Sequence, residues 1–271
     1  WYLVQKGGYY ELLRSAFAYF LSFDSEERFE NYLAFQPEFL WRLTTLISRT
    51  LIQIIAMIFP IMNSFNNAIR LLQEQTATKL LKGIEIGVVP GQETQIRDYL
   101  DQHPYDLKLV SIHQNGSFDY MDDAVLEKDK LTVVKSYFDQ MATVLDTFSD
   151  GHILTHFDYG LRRFDFTAEE LAQHFEKELT VIFKKVVARE LAFEVNAKSF
   201  WFLSKCITLR ICDPTLSKCG GKLFTLGSDA HKSSDYRLLF AEMSQMLRSF
   251  GVEQLAVFQG TERYMADLPE G

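Results

Sequence analysis

The sequence predicts an α/β protein with a parallel sheet, and three observations lead to this prediction. From Leu81 onward, short apolar segments alternate with amphipathic segments of helical periodicity, which is typical of parallel α/β folds. Polar residues with chemically active side chains come directly after several of the apolar segments. The chain has 271 residues, a length at which an α/β barrel commonly forms one domain. We therefore expect a single domain built as a small β/α barrel.

Hydrophobic periodicity gives the order of the expected elements. The predicted strands are Lys82–Val88, Leu107–His113, His152–Thr155, Leu191–Val195, Lys222–Leu226 and Leu255–Val257. Helices are predicted at Gln92–Gln102 and Lys128–Phe148, and the second of these has one apolar face formed by Val133, Tyr137, Met141 and Val144. A further helix is expected to begin at Thr167, because Glu169 and Glu170 follow in its first turn.

Composition excludes several classes of protein. The formal net charge of -8 argues against nucleic-acid binding through a general basic field, so a small anionic substrate would need a local basic pocket. The 3 cysteines are an odd number without a secretory signal, which argues against a disulfide framework and predicts a reducing, cytoplasmic location. Leu51–Met62 is nearly all apolar, but it is shorter than the ~20 residues that a membrane span needs. We expect that segment to be buried or interfacial.

Acidic and histidine side chains lie at the ends of the predicted strands. His113 and His156 each end an apolar segment, and Asp229 and His231 follow another one. A single histidine at a strand end is more often a hydrogen-bonded core residue than a ligand. Glu85 lies in the middle of an apolar strand, where a charge is costly unless it is paired or bound to metal.

Together these five residues predict a shared metal site, because the carboxyl ends of barrel strands converge. The mixed nitrogen and oxygen ligands suit zinc, manganese or iron. Such an ion lowers the pKa of a bound water to about 7 and neutralises phosphoryl oxygens. That chemistry is what hydrolysis of a phosphomonoester requires.

Five motifs follow one another along the chain. They are Lys82–Gly87, Leu107–Gly116, Thr155–Gly160, Phe193–Lys198 and Gly227–His231. In this order they resemble the histidinol-phosphate phosphatases of the PHP metallo-hydrolase family. The resemblance implies a distorted (β/α)7-type barrel that holds up to three divalent metal ions. It also implies hydrolysis of L-histidinol phosphate to L-histidinol and phosphate in histidine biosynthesis.

The resemblance further implies roles for the strand-end residues. By this likeness the metal ligands are Glu85, His113, His156, Asp229 and His231. Glu85, His113 and Asp229 are the residues expected at the catalytic centre. The bound ions would be zinc, manganese or iron.

Other residues are expected to bind the substrate, a small phosphorylated amino alcohol. Arg162 resembles the position that binds the phosphate, and it aligns better than Arg163. A solvated pair of loop arginines is the alternative. Asn115 and Asn196 are expected to contact the substrate, and Glu194 and Asn196 are candidates for orienting the ligands.

Two motifs of the family are missing, an N-terminal His-x-His and an acid–histidine pair after the second strand. One choice of synonymous codons for Arg14–Phe20 encodes His-x-His when it is read from the second base. Codons for Trp41–Arg49, read from the third base, encode the acid–histidine pair, and Ile207–Ser217 also yields a polar segment in another frame. We therefore expect segments 1–22, 40–80 and 206–218 to be out of frame within one domain spanning 1–271. A diverged relative is the alternative.

The out-of-frame segments leave two other functions open. The chain can be an inactive or repurposed protein that keeps the PHP fold. It can also be a phosphoesterase for another small phosphate. A nuclease is disfavoured by the acidic net charge.

Overall fold

The computed structural model describes residues 41–47, 70, 74, 80–202, 216, 218–230, 233–235, 237–260 and 262–268. The strands are β1 (Trp41–Ile47), β2 (Leu80–Gly87), β3 (Leu107–Ser111), β4 (Ile153–Leu154), β5 (Ala192–Asn196), β6 (Phe224–Gly227), β7 (Gln254–Gln259) and β8 (Glu262–Asp267). The α-helices are α1 (Glu93–Gln102), α2 (Lys130–Thr147), α3 (Ala168–Ala188), α4 (Ala197–Phe202) and α5 (Phe240–Ser249). Short 3-10 helices lie at Asp123–Glu127, Tyr159–Leu161 and Ser233–Asp235.

Strands β1 to β6 form one parallel sheet in chain order, and β7 pairs antiparallel with β8. Parallel neighbours need a crossover connection, which α1, α2 and α3 supply between β2, β3, β4 and β5. The predicted parallel α/β architecture is therefore confirmed. The predicted strands also occur as β2 to β7, with ends that differ by a few residues.

Alternation of side chains gives the sheet two different faces. One face packs on the helices through Ile84, Ile86, Val110, Leu154 and Phe193. The opposite face, here called the site face, begins with a smaller apolar cluster of Leu81, Leu107, Leu109, Ile153 and Ala192 together with Ala256 and Phe258 of β7. Two to four residues further along the same strands come Glu85, Ser111 and Glu194, and Thr155 directly follows β4. Polar groups therefore collect at the carboxyl ends of the strands, above an apolar base.

Helices α2 and α3 form as the sequence predicts. Val133, Tyr137, Met141 and Val144 of α2 are all buried in the main core. Thr167 and Glu170 form a capping box at the start of α3: the Thr167 side chain accepts a hydrogen bond from Glu170 N at 3.1 Å, and the Glu170 side chain accepts one from Thr167 N at 2.8 Å. These bonds satisfy backbone donors that the first turn of a helix leaves unpaired.

Phe157 joins the chain that follows β4 to the helical core. Its ring centroid lies 5.5 Å from that of Phe138 on α2 and 5.4 Å from that of Phe183 on α3. The ring of Phe193 on β5 lies 5.6 Å away. Aromatic pairs at such distances each contribute about 0.5–1.5 kcal/mol beyond the burial of their area. The backbone just past β4 is therefore fixed from both sides.

The segments predicted to be out of frame lie mostly outside the described residues. Their described parts are Trp41–Ile47, Arg70, Glu74, Leu80, Leu216 and Lys218. Trp41–Ile47 forms β1 and pairs in parallel with β2. The reading frame of these segments stays a prediction. None of the helices in the described part of the chain is long and apolar enough to span a bilayer, and Leu51–Met62 lies outside that part.

His152 gives the fold a pH-dependent contribution to stability. Its ring is partly buried and stacks on Phe258 with centroids 5.0 Å apart. Burial, helped by the nearby Lys108, lowers the pKa of His152 from an ordinary 6.5 to about 4. Between these two values the unfolded chain binds more protons than the folded chain, so the folded state loses stability as the pH falls.

The substitution His152→Phe keeps a ring stacked on Phe258 and removes the titrating imidazole. We expect this variant to lose less stability than the wild type when the pH falls from about 7 to about 5. The difference should be roughly 1 kcal/mol after allowance for partial exposure of the ring. Urea unfolding at both pH values measures it. His174→Gln, a change at an exposed position of α3, is the matched control. Equal losses in His152→Phe and the wild type would contradict the expectation.

Candidate metal centre

Three ligand-type side chains meet at the carboxyl ends of β2, β3 and β4. Glu85 lies on β2, and His113 and His156 follow the ends of β3 and β4. The carboxyl ends of neighbouring parallel strands open on the same edge of a sheet, where ligand sites form. The structure therefore brings together three of the five predicted ligands.

The three side chains converge on one point. His156 Nε2 lies 2.7 Å from Glu85 Oε1, and His113 Nε2 lies 3.1 Å from the same oxygen. The two Nε2 atoms are 3.1 Å apart. Each residue thus presents one ligand atom to the other two.

Burial and mutual attraction set the charges of this cluster. The side chains of Glu85, His113 and His156 are 13%, 8% and 5% exposed. Burial would raise the pKa of Glu85, but the charge of His156 and hydrogen bonds from both rings outweigh it and hold the pKa well below its ordinary value. Burial would lower the pKa of His156, but Glu85 outweighs this effect and raises it. The cluster therefore holds an ionised carboxylate that attracts a positive charge.

A break in strand geometry aims His156 at this cluster. Strict alternation after Leu154 would turn His156 toward the helices. Instead its backbone has φ +25°, outside the extended region, and its ring meets Glu85 on the site face. Sparsely populated backbone conformations cost on the order of 1–3 kcal/mol and are concentrated at functional sites. Asp229, with φ +49°, is a second such residue at the same end of the sheet.

The donor set fits a divalent metal ion. Atoms about 3 Å from one another leave room for an ion at the 2.0–2.2 Å that zinc keeps from imidazole nitrogen and carboxylate oxygen. Two imidazole nitrogens that face each other can share one proton or can both offer lone pairs to a cation. The Nδ1 atoms of both rings are buried and have no hydrogen-bond partner among the described residues. Glu85, His113 and His156 could therefore bind one ion through a carboxylate oxygen and two Nε2 atoms.

Glu194 supports the cluster from β5. Its Oε2 accepts hydrogen bonds from the Thr155 hydroxyl, from His156 N at 3.0 Å and from Asn196 Nδ2 at 3.2 Å. Burial raises the pKa of Glu194 although these bonds lower it. The carboxyl group fixes the backbone at His156, which agrees with the predicted orienting role of Glu194.

Asp229 lies near the cluster, but its role as a ligand stays a prediction. Its Oδ2 is 3.6 Å from Lys198 Nζ. Its carboxylate also interacts electrostatically with His156 and Arg162, so it lies near both. The fifth predicted ligand, His231, lies outside the described residues.

Of the two neighbouring arginines, Arg162 is the one that lies at the site. Its side chain is 8% exposed, and it interacts electrostatically with His156. Arg163 pairs instead with Asp123, whose side chain is 95% exposed. The alternative of two solvated loop arginines is therefore wrong for Arg162. Its contact with phosphate stays a prediction.

Asn115 and Asn196 fix loops beside the site. Asn115 Oδ1 accepts hydrogen bonds from Ser117 N at 2.9 Å and Phe118 N at 3.1 Å. Asn196 Oδ1 accepts one from Lys198 N at 2.9 Å, at the start of α4. Both carbonyl oxygens therefore hold backbone, and the substrate contacts predicted for these residues stay predictions.

Tyr159 is a residue of the site that the sequence analysis missed. Its ring lies edge-on to His113 with centroids 4.8 Å apart, and its centroid is 5.1 Å from that of His156. Its hydroxyl donates a hydrogen bond to Asp119 Oδ1 at 3.1 Å. Burial raises the pKa of Tyr159 well above its ordinary value, so the hydroxyl stays a neutral donor. The signal was its place in the Thr155–Gly160 motif, just after a ligand-type histidine.

The fold and the site together define an α/β protein with a parallel sheet and a candidate divalent-metal site at its carboxyl edge. No model of a protein family matches the chain. A histidinol-phosphatase from Lactococcus lactis subsp. lactis (strain IL1403) is 25% identical over 191 residues, which cover 67% of this chain and 69% of the relative. A probable histidinol-phosphatase from Clostridium acetobutylicum is 26% identical over 172 residues, which cover 63% of this chain and 68% of that protein.

Solved structures show the same fold. The histidinol phosphate phosphatase of Lactococcus lactis, crystallised with zinc, L-histidinol and phosphate, matches with a TM-score of 0.65 at 20% identity, over 89% of this chain and 94% of that one. A putative histidinol phosphatase from Listeria monocytogenes matches with a TM-score of 0.57 at 12% identity, over 76% of this chain and 88% of that one. In sequence and in fold the chain is histidinol-phosphatase-like, which confirms the resemblance drawn from its motifs.

We expect Glu85→Gln to lower the affinity for Zn²⁺ by at least about 100-fold, because loss of even an outer-shell partner costs about 10- to 100-fold. The substitution keeps the shape of the side chain and removes the charge between the two rings. Competition with a chromophoric chelator measures the affinity. Glu176→Gln, an exposed acid on α3, is the matched control. Unchanged affinity in Glu85→Gln would exclude this cluster as the metal site.

Gly227 is needed where β6 passes Glu194. A Cβ atom at position 227 would lie 2.1 Å from Glu194 Oε1. We expect Gly227→Ala to cost about 1–3 kcal/mol of stability, as overpacking does, and to weaken metal binding by releasing His156. Urea unfolding and the chelator assay measure the two effects. In a Glu194→Ala background the stability cost should disappear, and a cost that persists there would show that Glu194 is not the group displaced.

Proposed function

We propose that the chain is a metal-dependent phosphomonoesterase that hydrolyses L-histidinol phosphate to L-histidinol and phosphate, a reaction of histidine biosynthesis. The convergence of Glu85, His113 and His156 within 3.1 Å of one another carries the proposal. The matching fold of a phosphatase crystallised with zinc, L-histidinol and phosphate supports it. Relatives named histidinol-phosphatase support the same substrate.

The proposed metal ligands are Glu85, His113, His156, Asp229 and His231. A divalent ion at this position would act as a Lewis acid that neutralises charge on the phosphoryl group. The nitrogen and oxygen donors suit zinc, manganese or iron. The resemblance to the family implies up to three ions, and binding of more than one would need Asp229 and His231 as well. Glu85, His113 and Asp229 are the proposed catalytic residues.

The remaining site residues position the substrate. The Arg162 guanidinium binds phosphate oxygens, for which its planar arrangement of donors is suited. Asn115 and Asn196 stand beside the phosphorylated amino alcohol. Glu194 holds the backbone of His156, so that its ring keeps a fixed distance from Glu85. Preorganised charges of this kind stabilise the charge that develops in the transition state.

We also propose that the six-stranded sheet is part of a distorted (β/α)7-type barrel within one domain spanning 1–271. Two observations support this. The parallel strands follow one another in chain order, and Ala256 and Phe258 of β7 pack with residues of β2 to β5 on the site face. The cytoplasmic location predicted from the cysteines stays a prediction.

The proposed activity is tested by phosphate release from L-histidinol phosphate after addition of Zn²⁺ or Mn²⁺ to metal-free protein. We expect hydrolysis that a chelator abolishes and added metal restores, because a chelator competes with the proposed carboxylate and imidazole ligands for the ion. His156→Asn should lower kcat/KM by at least about 100-fold. His174→Asn on the exposed side of α3 is the control.

The alternatives predict other outcomes of the same assay. Preferred hydrolysis of another phosphomonoester would indicate a different phosphoesterase, and cleavage of single-stranded DNA would indicate a nuclease. A cooperatively folded, metal-saturated chain without turnover would favour an inactive or repurposed protein. A second chain carries segments 1–22, 40–80 and 206–218 in the alternative reading frame. Activity in this chain alone would show that those segments cause the loss of activity. Inactivity of both folded, metal-loaded chains would indicate a wrong substrate assignment.

A further inference from the structure

Arg162 belongs to a closed group of buried polar side chains. Its Nε donates a hydrogen bond to Asp158 Oδ2 at 3.2 Å, and its Nη2 donates one to Ser199 Oγ at 2.9 Å. The Ser199 hydroxyl in turn donates to Asp158 Oδ1. Asp158 is 1% exposed and Ser199 is 8% exposed. A carboxylate, a hydroxyl and a guanidinium therefore close a triangle away from solvent.

The triangle fixes the direction in which the guanidinium points. A hydroxyl has one O–H to donate, and Ser199 gives it to Asp158, so its oxygen is left to accept from Arg162. Of the five N–H groups of Arg162, one therefore bonds to Asp158 and one to Ser199. No described residue accepts a hydrogen bond from the other three. These lie on Nη1 and Nη2, on the part of the guanidinium that Asp158 does not hold.

An ion pair and ring contacts place Arg162 beside the candidate metal site. A buried arginine needs a partner of opposite charge. Asp158, two residues after His156, supplies the negative charge for Arg162. The Arg162 guanidinium lies 5.6 Å from the centroid of the Tyr159 ring, and that ring packs on His113 and His156, so the guanidinium lies beside the candidate metal site. Ser199 comes from α4, immediately after β5. The group therefore ties Arg162 to the ends of two neighbouring strands.

We propose that Asp158 and Ser199 are positioning residues that hold the Arg162 guanidinium so that its remaining N–H groups face the phosphate of the substrate. This inference rests on the proposed function. Two fixed bonds remove the rotational freedom that a free arginine would lose on binding phosphate. Both residues bond to the guanidinium, so both act through Arg162.

The test is a double-mutant cycle on the zinc-loaded full chain. The variants are Asp158→Asn, Ser199→Ala, Arg162→Ala and the two double variants that contain Arg162→Ala. Binding of inorganic phosphate is measured by calorimetry, and KM and kcat for L-histidinol phosphate are measured separately. Thermal unfolding and zinc content verify that each variant is folded and loaded. Asp123→Asn and Arg163→Ala, which alter the surface pair beside the site, are the matched controls.

We expect Asp158→Asn to weaken phosphate binding and raise KM by about tenfold, the equivalent of one charge-assisted hydrogen bond. Ser199→Ala should have a smaller effect in the same direction. In the Arg162→Ala background neither substitution should weaken phosphate binding further, because its target is gone. The control variants should bind phosphate as the wild type does.

If Asp158→Asn and Ser199→Ala weaken phosphate binding as much in the Arg162→Ala background as in the wild type, the proposal is overturned. Asp158 would then be a structural residue. The same holds if folded Asp158→Asn and Ser199→Ala both bind phosphate as the wild type does. If Asp158→Asn does not fold, Ser199→Ala decides the outcome alone. A wild-type chain that binds phosphate through Arg162 but does not hydrolyse L-histidinol phosphate would reject the proposed function, while the cycle would still test the positioning role.

Discussion

The position of Glu85 between two imidazoles is the constraint on which the rest of the site depends. A buried carboxylate is costly unless it is paired, and its partners here come from the ends of β3 and β4. Glu85 lies opposite Leu109 in the sheet, and Leu109 lies opposite Ile153. A slip of one residue in either pairing would move Glu85 or its partners to the helix face. The register of three strands is therefore tied to one ion-pair cluster.

Two further carboxyl groups hold the chain that follows β4. Glu194 accepts a hydrogen bond from the backbone of His156, and Asp158 fixes the guanidinium of Arg162. The stretch from Thr155 to Arg162 thus carries a ligand-type histidine, a buried arginine and Tyr159, each held by a different contact. Side chains whose rotamers are fixed in this way keep the geometry that metal and phosphate binding require.

Much of this arrangement could be predicted from local sequence patterns, because period-two alternation and strand ends are local properties. They placed Glu85, His113 and His156 at one edge of a parallel sheet, and the structure places them there. The positive φ of His156 was not predictable, because the alternation alone directs that residue to the helices. The bond between Asp158 and Ser199 joins residues 41 positions apart and depends on how a 3-10 turn meets α4. Such contacts are set by tertiary packing, which no local pattern records.

The aromatic packing of Phe157 has a consequence for any metal ion that His156 would hold. His156 is joined directly to a ring that is buried among Phe138, Phe183 and Phe193, in the layer between the sheet and two helices. A ligand on a surface loop can swing away while the core stays intact, but this one cannot move without disturbing that layer. Loosening of that layer would displace His156, so an ion held there would report on the packing of the helices.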